Sequence, residues 1–328
     1  MTQTTTIFVL VYVDDILITG SSSSAIMLLI QSLNQAFSLK DLGQLHYFLG
    51  IEAQKLASGG YHLNQSKYIL DLLKKANMVD CKSMPSPMVS STKLSSRDGS
   101  PHPDPAQYRS IIGALQYATI TRPDIAFCVN KVCQFMYNPL DTHWKAVKRI
   151  LHYLSGIVSH GLTITPSKNF HLTAYCDSDW GSDLDERCST SGYCIFFGSN
   201  LVTWSSKKQH VVSRSSTEVE YRCLAATVAE LTWIQYLLSE LCIQLPRPPT
   251  LYCDNLSAVL LTPNPIFHSR TKHFELDLHF VREKVVSKAV SIYHVPPVWR
   301  NMTSPRNFYI RRRQNWSFLE INFKLGYI

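Results

Sequence analysis

Two sets of carboxylates stand out by residue type and spacing. The first is the adjacent pair Asp14 and Asp15, set between the apolar runs 7–13 and 16–19. Neighbours in a regular strand point to opposite faces, but at a tight turn both carboxylates can approach one cation. Mg²⁺ is a hard ion, commonly held by one or two carboxylates together with substrate phosphates, so such a pair suits phosphoryl transfer. Aspartates are also common as solvated turn residues, and here it is the flanking apolar runs that argue for more. The second set is distributed: Asp177 closes one β-rich run, Glu218 and Glu220 open a long helical stretch, and Asp254 closes another β-rich run. Acids at strand ends and at a helix N-terminus can converge on one point. Their mutual repulsion then calls for a cation, Mg²⁺ or Mn²⁺. Two such ions about 3.5–4 Å apart would activate a water and stabilise the leaving oxygen of a phosphodiester. Taken singly, each acid also reads as a strand-end or capping carboxylate, and Glu218 fits the third helical position of a capping box begun at Ser215.

Other chemistry-bearing residues carry less. His268, His273, His279 and His294 provide no pair at i, i+4 on one helix with a third ligand, which argues against zinc. Trp144, Trp180, Trp204 and Trp233 are able to stack on bases, but isolated tryptophans more often serve packing. The nine cysteines are scattered singly with no CxxC pair. That excludes a secreted disulfide scaffold and a structural zinc ribbon, and points to a reducing compartment.

The elements that must position the acids follow from periodicity. Runs 7–13 and 16–19 read as a hairpin with the aspartates at its tip, closed by Gly20. Apolar residues recur at helical spacing over 24–37 and 64–76, with a short β segment at 46–54 between them. Residues 81–105 are rich in Ser and Pro, which prevents regular structure. Helical patterns follow at 107–121, 124–137 and 142–155, punctuated by Gly156 and Gly161. Short β runs at 172–176, 192–197 and 202–204 precede a helix over 216–242, a strand at 250–253, helices at 256–261 and 271–286, and a last strand at 289–295. This order predicts a mixed sheet covered by helices, in an α/β protein.

Composition bounds the rest. With 328 residues, 45% apolar and 17% charged, the chain can bury a sizeable core, and its length suits two compact units. Its 32 Lys and Arg against 24 Asp and Glu leave a net charge of +8, which permits a nucleic-acid partner. Most of that surplus sits in 298–328, where six basic residues face one acid. The apolar run 7–13 is too short to span a bilayer and has no basic leader, so a soluble intracellular protein, cytoplasmic or nuclear and away from membranes, is expected.

The segment 8–20 (FVLVYVDDILITG) resembles the palm hairpin of copia-type retrotransposon reverse transcriptases. Downstream, 48–52 (FLGIE) is similar to that family's primer-grip hairpin and 61–88 to its thumb. Segments 108–117 (YRSIIGALQY) and 121–125 (TRPDI) resemble the connection that follows. Segments 175–180 (YCDSDW), 215–221 (SSTEVEY), 252–255 (YCDN) and 270–273 (RTKH) resemble its ribonuclease H domain. The resemblance implies a partial reverse-transcriptase palm and thumb over 1–88, a Pro/Ser-rich linker over 89–105 and a helical connection over 106–165. A ribonuclease H-like mixed-sheet domain over 166–297 and a divergent basic tail over 298–328 complete it.

Carried over residue by residue, the resemblance makes Asp177, Glu220 and Asp254 the catalytic, metal-binding acids of a ribonuclease H site, with Glu218 and Asp179 as alternatives at two positions. Asp14 and Asp15 become the metal pair of the polymerase motif, and Phe48, Leu49 and Gly50 lie in the primer-grip-like turn. Lys207, Lys208, Arg214 and Arg270 are candidates for phosphate contact, with a solvated basic face as the plain alternative. The implied cofactor is Mg²⁺ or Mn²⁺. The implied partners are an RNA–DNA hybrid or other nucleic acid, and other retrotransposon polyprotein products. Two departures from the family pattern bear on activity. The fingers and the earlier palm strand that hold the nucleotide do not precede residue 7, so polymerase activity is expected to be lost. After 294–296 the usual helix with a fourth acid is replaced by the basic tail. The expected activity is hydrolysis of RNA in RNA–DNA hybrids; the rival class is a non-catalytic nucleic-acid-binding remnant.

Overall fold

The computed structural model describes residues 5–37, 39–89, 92–263 and 274–295. The fold is mixed α/β, built on three sheets. Strands β1 (Ile7–Tyr12) and β2 (Asp15–Gly20) form an antiparallel hairpin in which Tyr12 pairs with Asp15, so Val13 and Asp14 make a two-residue turn. Val13 takes φ 50, the positive value such hairpin turns require. Helix α1 (Ser23–Phe37) packs against β2.

The second sheet has the order β3 (Tyr47–Phe48), β4 (Ile51–Lys55), β5 (Tyr61–Asn64) and β6 (Gly161–Ile164), antiparallel throughout. The periodicity reading treats Gly161 as punctuation; it opens β6 instead. Only four residues long, β6 exists through its pairing with β5 about a hundred positions earlier, a partner no local pattern reveals. Gly161 is required there, since a Cβ would lie 1.9 Å from the Leu63 carbonyl oxygen.

Helices α2 (Ser66–Lys75), α3 (Pro105–Ala118), α4 (Ala126–Cys133) and α5 (Asp141–Ser155) share one apolar core, into which Ile69, Leu73, Ile111, Leu115, Ile150 and Leu154 are fully buried. Asp104 accepts a 2.9 Å hydrogen bond from the Gln107 N–H and Pro105 occupies the first turn, which sets where α3 begins. The stretch 124–137, predicted as one helix, is a 3₁₀ turn (Pro123–Ile125) running into α4. Among its described residues the proline-rich stretch 92–104 contains no helix or strand beyond the single bridge of Pro101 to Leu140, yet it is packed. Leu94 and Ser95 are buried, and the Ser95 hydroxyl and Ser96 N–H both donate to Asp185 at 2.7 Å.

The third sheet has five strands in the order β11 (Ser291–His294), β10 (Thr250–Cys253), β7 (Leu172–Ser178), β8 (Thr190–Phe197) and β9 (Asn200–Lys208). Strands β11, β10 and β7 are parallel, and β8 and β9 continue antiparallel. Alternation along the parallel strands sends Leu172, Ala174, Cys176, Leu251 and Cys253 into the core. There the long helix α6 (Ser216–Glu240) meets them with Tyr221, Cys223, Leu224, Val228 and Leu231. Helices α7 (Leu256–Leu261) and α8 (Glu275–Val286) complete this layer. On intervening positions Tyr175, Tyr252 and Tyr293 form a ladder across the parallel strands, with centroids 5.3 and 6.1 Å apart. No helix among the described residues is long and apolar enough to cross a membrane.

Candidate metal centre

The third sheet sets the backbone positions of two of the distributed acids, Asp177 and Asp254, through its register. Cys176 of β7 lies opposite Cys253 of the adjacent parallel strand β10; Asp254 follows directly on the end of β10, while Asp177 is still within β7, paired with Gly192 of β8. The Tyr-Cys-Asp tripeptide recurs at 175–177 and 252–254, and that repeat is the sequence trace of this pairing. The third acid comes from α6. Ser215 caps that helix by accepting a 3.2 Å hydrogen bond from the Glu218 N–H. Glu218, at the third helical position, accepts from the Arg214 N–H at 2.8 Å and from Arg222 at 3.0 and 3.1 Å. Its carboxylate is therefore occupied in holding the helix start.

Glu220 points into the sheet. Its Oε1 accepts a 3.1 Å hydrogen bond from the Ser178 N–H, and its Oε2 lies 4.0 Å from the Cys253 sulfur. Ligand atoms of Glu220, Cys253 and Asp254 all lie within 4.8 Å of one another. Beneath them Cys176, Cys223 and Cys253 are fully buried, and Cys223 donates to the carbonyls of Asp177 and Gly192 at 3.4 Å each. Burial, then the nearby Cys223, Cys253, Asp177 and Asp254, push the Glu220 carboxyl up to about 11. A buried carboxyl whose neighbours are acids and thiols is the donor set that a divalent cation relieves. Asp179, the alternative to Asp177, is turned toward the backbone, its Oδ1 accepting from the Thr190 N–H at 2.7 Å. His294 Nε2 sits 3.2 Å from the Asp254 carbonyl oxygen, tying β11 to the same strand end.

A family profile described as "Reverse transcriptase (RNA-dependent DNA polymerase)" matches residues 2–90. The "Retrovirus-related Pol polyprotein from transposon RE2" of Arabidopsis thaliana is 49% identical over 289 residues, 88% of this chain and 20% of that polyprotein. The chain belongs to the retrovirus-related Pol polyproteins of transposons. It thus spans about a fifth of the length of that curated relative. The Pol polyprotein from transposon TNT 1-94 of Nicotiana tabacum is 35% identical over 88% of the chain and 22% of the relative. A mitochondrial protein of Arabidopsis thaliana is 50% identical over 69% of the chain and 93% of its own length. Among solved structures, the foamy viral protease–reverse transcriptase in complex with dsDNA aligns with 88% of the chain and 55% of its own at 14% identity and a TM-score of 0.46. LC11-RNase H1 in complex with RNA/DNA hybrid aligns with 40% of the chain and 88% of its own at 12% identity and a TM-score of 0.28.

Elsewhere in this Pol chain the sequence candidates are placed differently. Asp14 and Asp15 are exposed at the tip of the β1–β2 hairpin. The group of three or more His, Cys, Asp or Glu able to hold a metal among the described residues is the one around Glu220, so Asp14 and Asp15 have no third ligand there. Phe48 ends β3, and Leu49 and Gly50 form the tight turn to β4, with φ values of 48 and 73. Tyr117 locks that turn: its hydroxyl donates to the Leu49 carbonyl, and a Cβ at position 50 would sit 3.1 Å from the Tyr117 hydroxyl oxygen. Lys207 and Arg214 are exposed. Lys208 is not a free cation, because it pairs with Glu186 at 2.7 Å and Asp183 at 3.3 Å. Of the histidines, His279 lies 3.7 Å from Glu275. Arg270, His268, His273 and the basic tail lie outside the described residues.

The residue that sequence reading missed is Cys253. The repeated Tyr-Cys-Asp was the available signal, but which cysteine meets the carboxylates depends on where α6 crosses the sheet.

Proposed function

We propose that this Pol chain hydrolyses the RNA strand of an RNA–DNA hybrid with Mg²⁺ or Mn²⁺, using Asp177, Glu220 and Asp254. The observation that carries this reading is the meeting of Glu220, from α6, with Cys253 and Asp254 at the end of β10, while Asp177 of β7 lies near enough to help burial raise the Glu220 carboxyl. Divalent ions bound there would supply an activated water and stabilisation of the leaving 3′ oxygen. The chain's own part is to fix the acids. The β7–β10 register pairs Cys176 with Cys253, the residues just before Asp177 and Asp254, and the Ser178 N–H orients the Glu220 carboxyl. The hybrid would be recognised through its phosphates and 2′-hydroxyls, with exposed Lys207 and Arg214 as contacts. Lys208, engaged by two acids, instead ties β9 to the 183–186 loop.

The test is cleavage of a hybrid carrying labelled RNA, with and without Mg²⁺, for the native chain and Asp254→Asn. Metal-dependent cutting that the substitution abolishes is expected. Salt-sensitive retention of the hybrid without any cutting would instead mark a non-catalytic binder, since a chain of net charge +8 holds nucleic acid electrostatically whether or not it cuts. For the β1–β2 hairpin we propose no DNA synthesis by this chain, because Asp14 and Asp15 stand exposed without a third carboxylate among the described residues. Primer extension on a poly(A) template should show no incorporation with either ion, and clear extension would overturn that expectation.

A further inference from the structure

The geometry points to a second use of the same strand end: we propose that Glu220, Cys253 and Asp254 bind a thiophilic divalent cation such as Zn²⁺ through the Cys253 sulfur, in competition with the oxygen-bound ion. The proposal deepens the nuclease reading by adding regulation to its site, and it rests on that reading only for the competition, not for the binding.

Alternation along β10 places Cys253 on the buried face with Leu251, toward α6, while Asp254 follows at the rim where it is only partly covered. One sulfur and two carboxylates therefore face a common volume, with Asp254 on the solvent side as the way in. Zinc–sulfur and zinc–oxygen bonds of about 2.3 and 2.0 Å at a tetrahedral angle put the two ligand atoms roughly 3.5 Å apart. The Cys253 sulfur and Glu220 Oε2 are 4.0 Å apart, and all three ligand atoms fall within 4.8 Å of one another. Side-chain adjustments of about an ångström or less would close the site, leaving its fourth position to water. As the metal binds, the Cys253 thiol proton and the Glu220 carboxyl proton both pass to solvent.

Mg²⁺ takes oxygen ligands and has no use for a thiolate, whereas Zn²⁺ and Cd²⁺ prefer sulfur. The two kinds of ion thus share Glu220 and Asp254 but differ at Cys253, so they exclude each other. A thiophilic ion would be drawn inward toward the sulfur, away from where the phosphodiester must bind.

Cd²⁺ is the probe, because a cadmium–thiolate bond produces an ultraviolet charge-transfer band that carboxylates alone do not. All forms of the chain would carry Cys242→Ser, removing the exposed thiol. Titration of this form without nucleic acid should produce a saturating band at one Cd²⁺ per chain, which excess Mg²⁺ shifts to higher Cd²⁺. Cys253→Ser should abolish the band. Glu220→Gln, which leaves the thiol in place, should weaken Cd²⁺ binding at least tenfold. No band in the Cys242→Ser form, a band that survives Cys253→Ser, or an unchanged affinity in Glu220→Gln would each overturn the proposal. Failure of hybrid cleavage would bear on the nuclease reading alone, because the band is read without substrate.

Discussion

Glu220→Gln is expected to act in opposite directions on activity and on metal-free stability. On activity, the amide cannot supply the charge that the cation site needs, so Mg²⁺-dependent cleavage of the hybrid should fall at least a hundredfold, on the order of 3 kcal/mol in transition-state stabilisation. On stability, the sign follows from proton binding. Folded and metal-free, Glu220 keeps its proton up to about pH 11. Unfolded, a glutamate releases it near about pH 4.3. Between those values the folded state binds one more proton than the unfolded state, so the group's contribution is fullest below the unfolded value and is lost as pH rises toward the folded one. The slope is at most about 1.4 kcal/mol per pH unit for one proton. Glutamine has no proton to lose, so the substitution should remove this slope. Melting temperatures in a chelating buffer at about pH 6 and about pH 9 would check it. The native chain should lose more stability than Glu220→Gln over that interval, and added Mg²⁺ should stabilise the native chain at the higher pH but scarcely affect the variant. Parallel pH profiles would show that Glu220 is not the crowded acid described.

The largest effect on folding is expected at Asp124. Arg122 is 1% exposed within the helical core, and its guanidinium donates from Nε to Asp124 Oδ1 at 2.9 Å and from Nη2 to Oδ2 at 2.7 Å. The Tyr153 hydroxyl donates to the same Oδ2 at 2.8 Å, and Arg122 Nη1 reaches the Ile157 carbonyl at 3.2 Å. Burial works against the Arg122 charge, but hydrogen bonding and attraction by Asp124 outweigh it, holding the group above its ordinary value. Asp124→Ala therefore leaves a buried cation without its counter-charge, and breaking a buried pair from one side costs about 3–5 kcal/mol. Urea denaturation of the native chain and the variant would measure this. Pairing the substitution with Arg122→Met should recover a large part of the loss, because the orphaned charge goes with it. A loss below about 1 kcal/mol would mean that the pair is not buried as described.

Much of this chain was legible in its pattern. The β1–β2 hairpin, helices α2, α3 and α5, the long α6 and the parallel strands β7 and β10 all carry a clear period or alternation, because each buries one face. Elements that lack such a face were not legible. β9 reads as only three residues, 202–204, yet it runs to Lys208. Its polar continuation of Ser205, Ser206, Lys207 and Lys208 is typical of an edge strand, with which no further strand of its sheet pairs among the described residues. β6 was missed for the related reason that its partner lies far away in the chain. The proline-rich stretch lacks helix and strand, as its composition dictates, but nothing in that composition told that Ser95 and Ser96 would grip Asp185.

The site divides the same way. By itself the sequence determined which residues have the chemistry: acids at strand ends, an acid pair early in a helix, and the twice-used Tyr-Cys-Asp. It left Glu218 and Glu220 open, since both stand in the first turns of one helix. The tertiary structure decided between their surroundings, because α6 crosses the sheet with one glutamate turned to Arg222 and the other to the ends of β7 and β10. That choice depends on the helix's rotation about its own axis. Packing of its apolar face on a distant sheet sets that rotation, and no local run of residues encodes it.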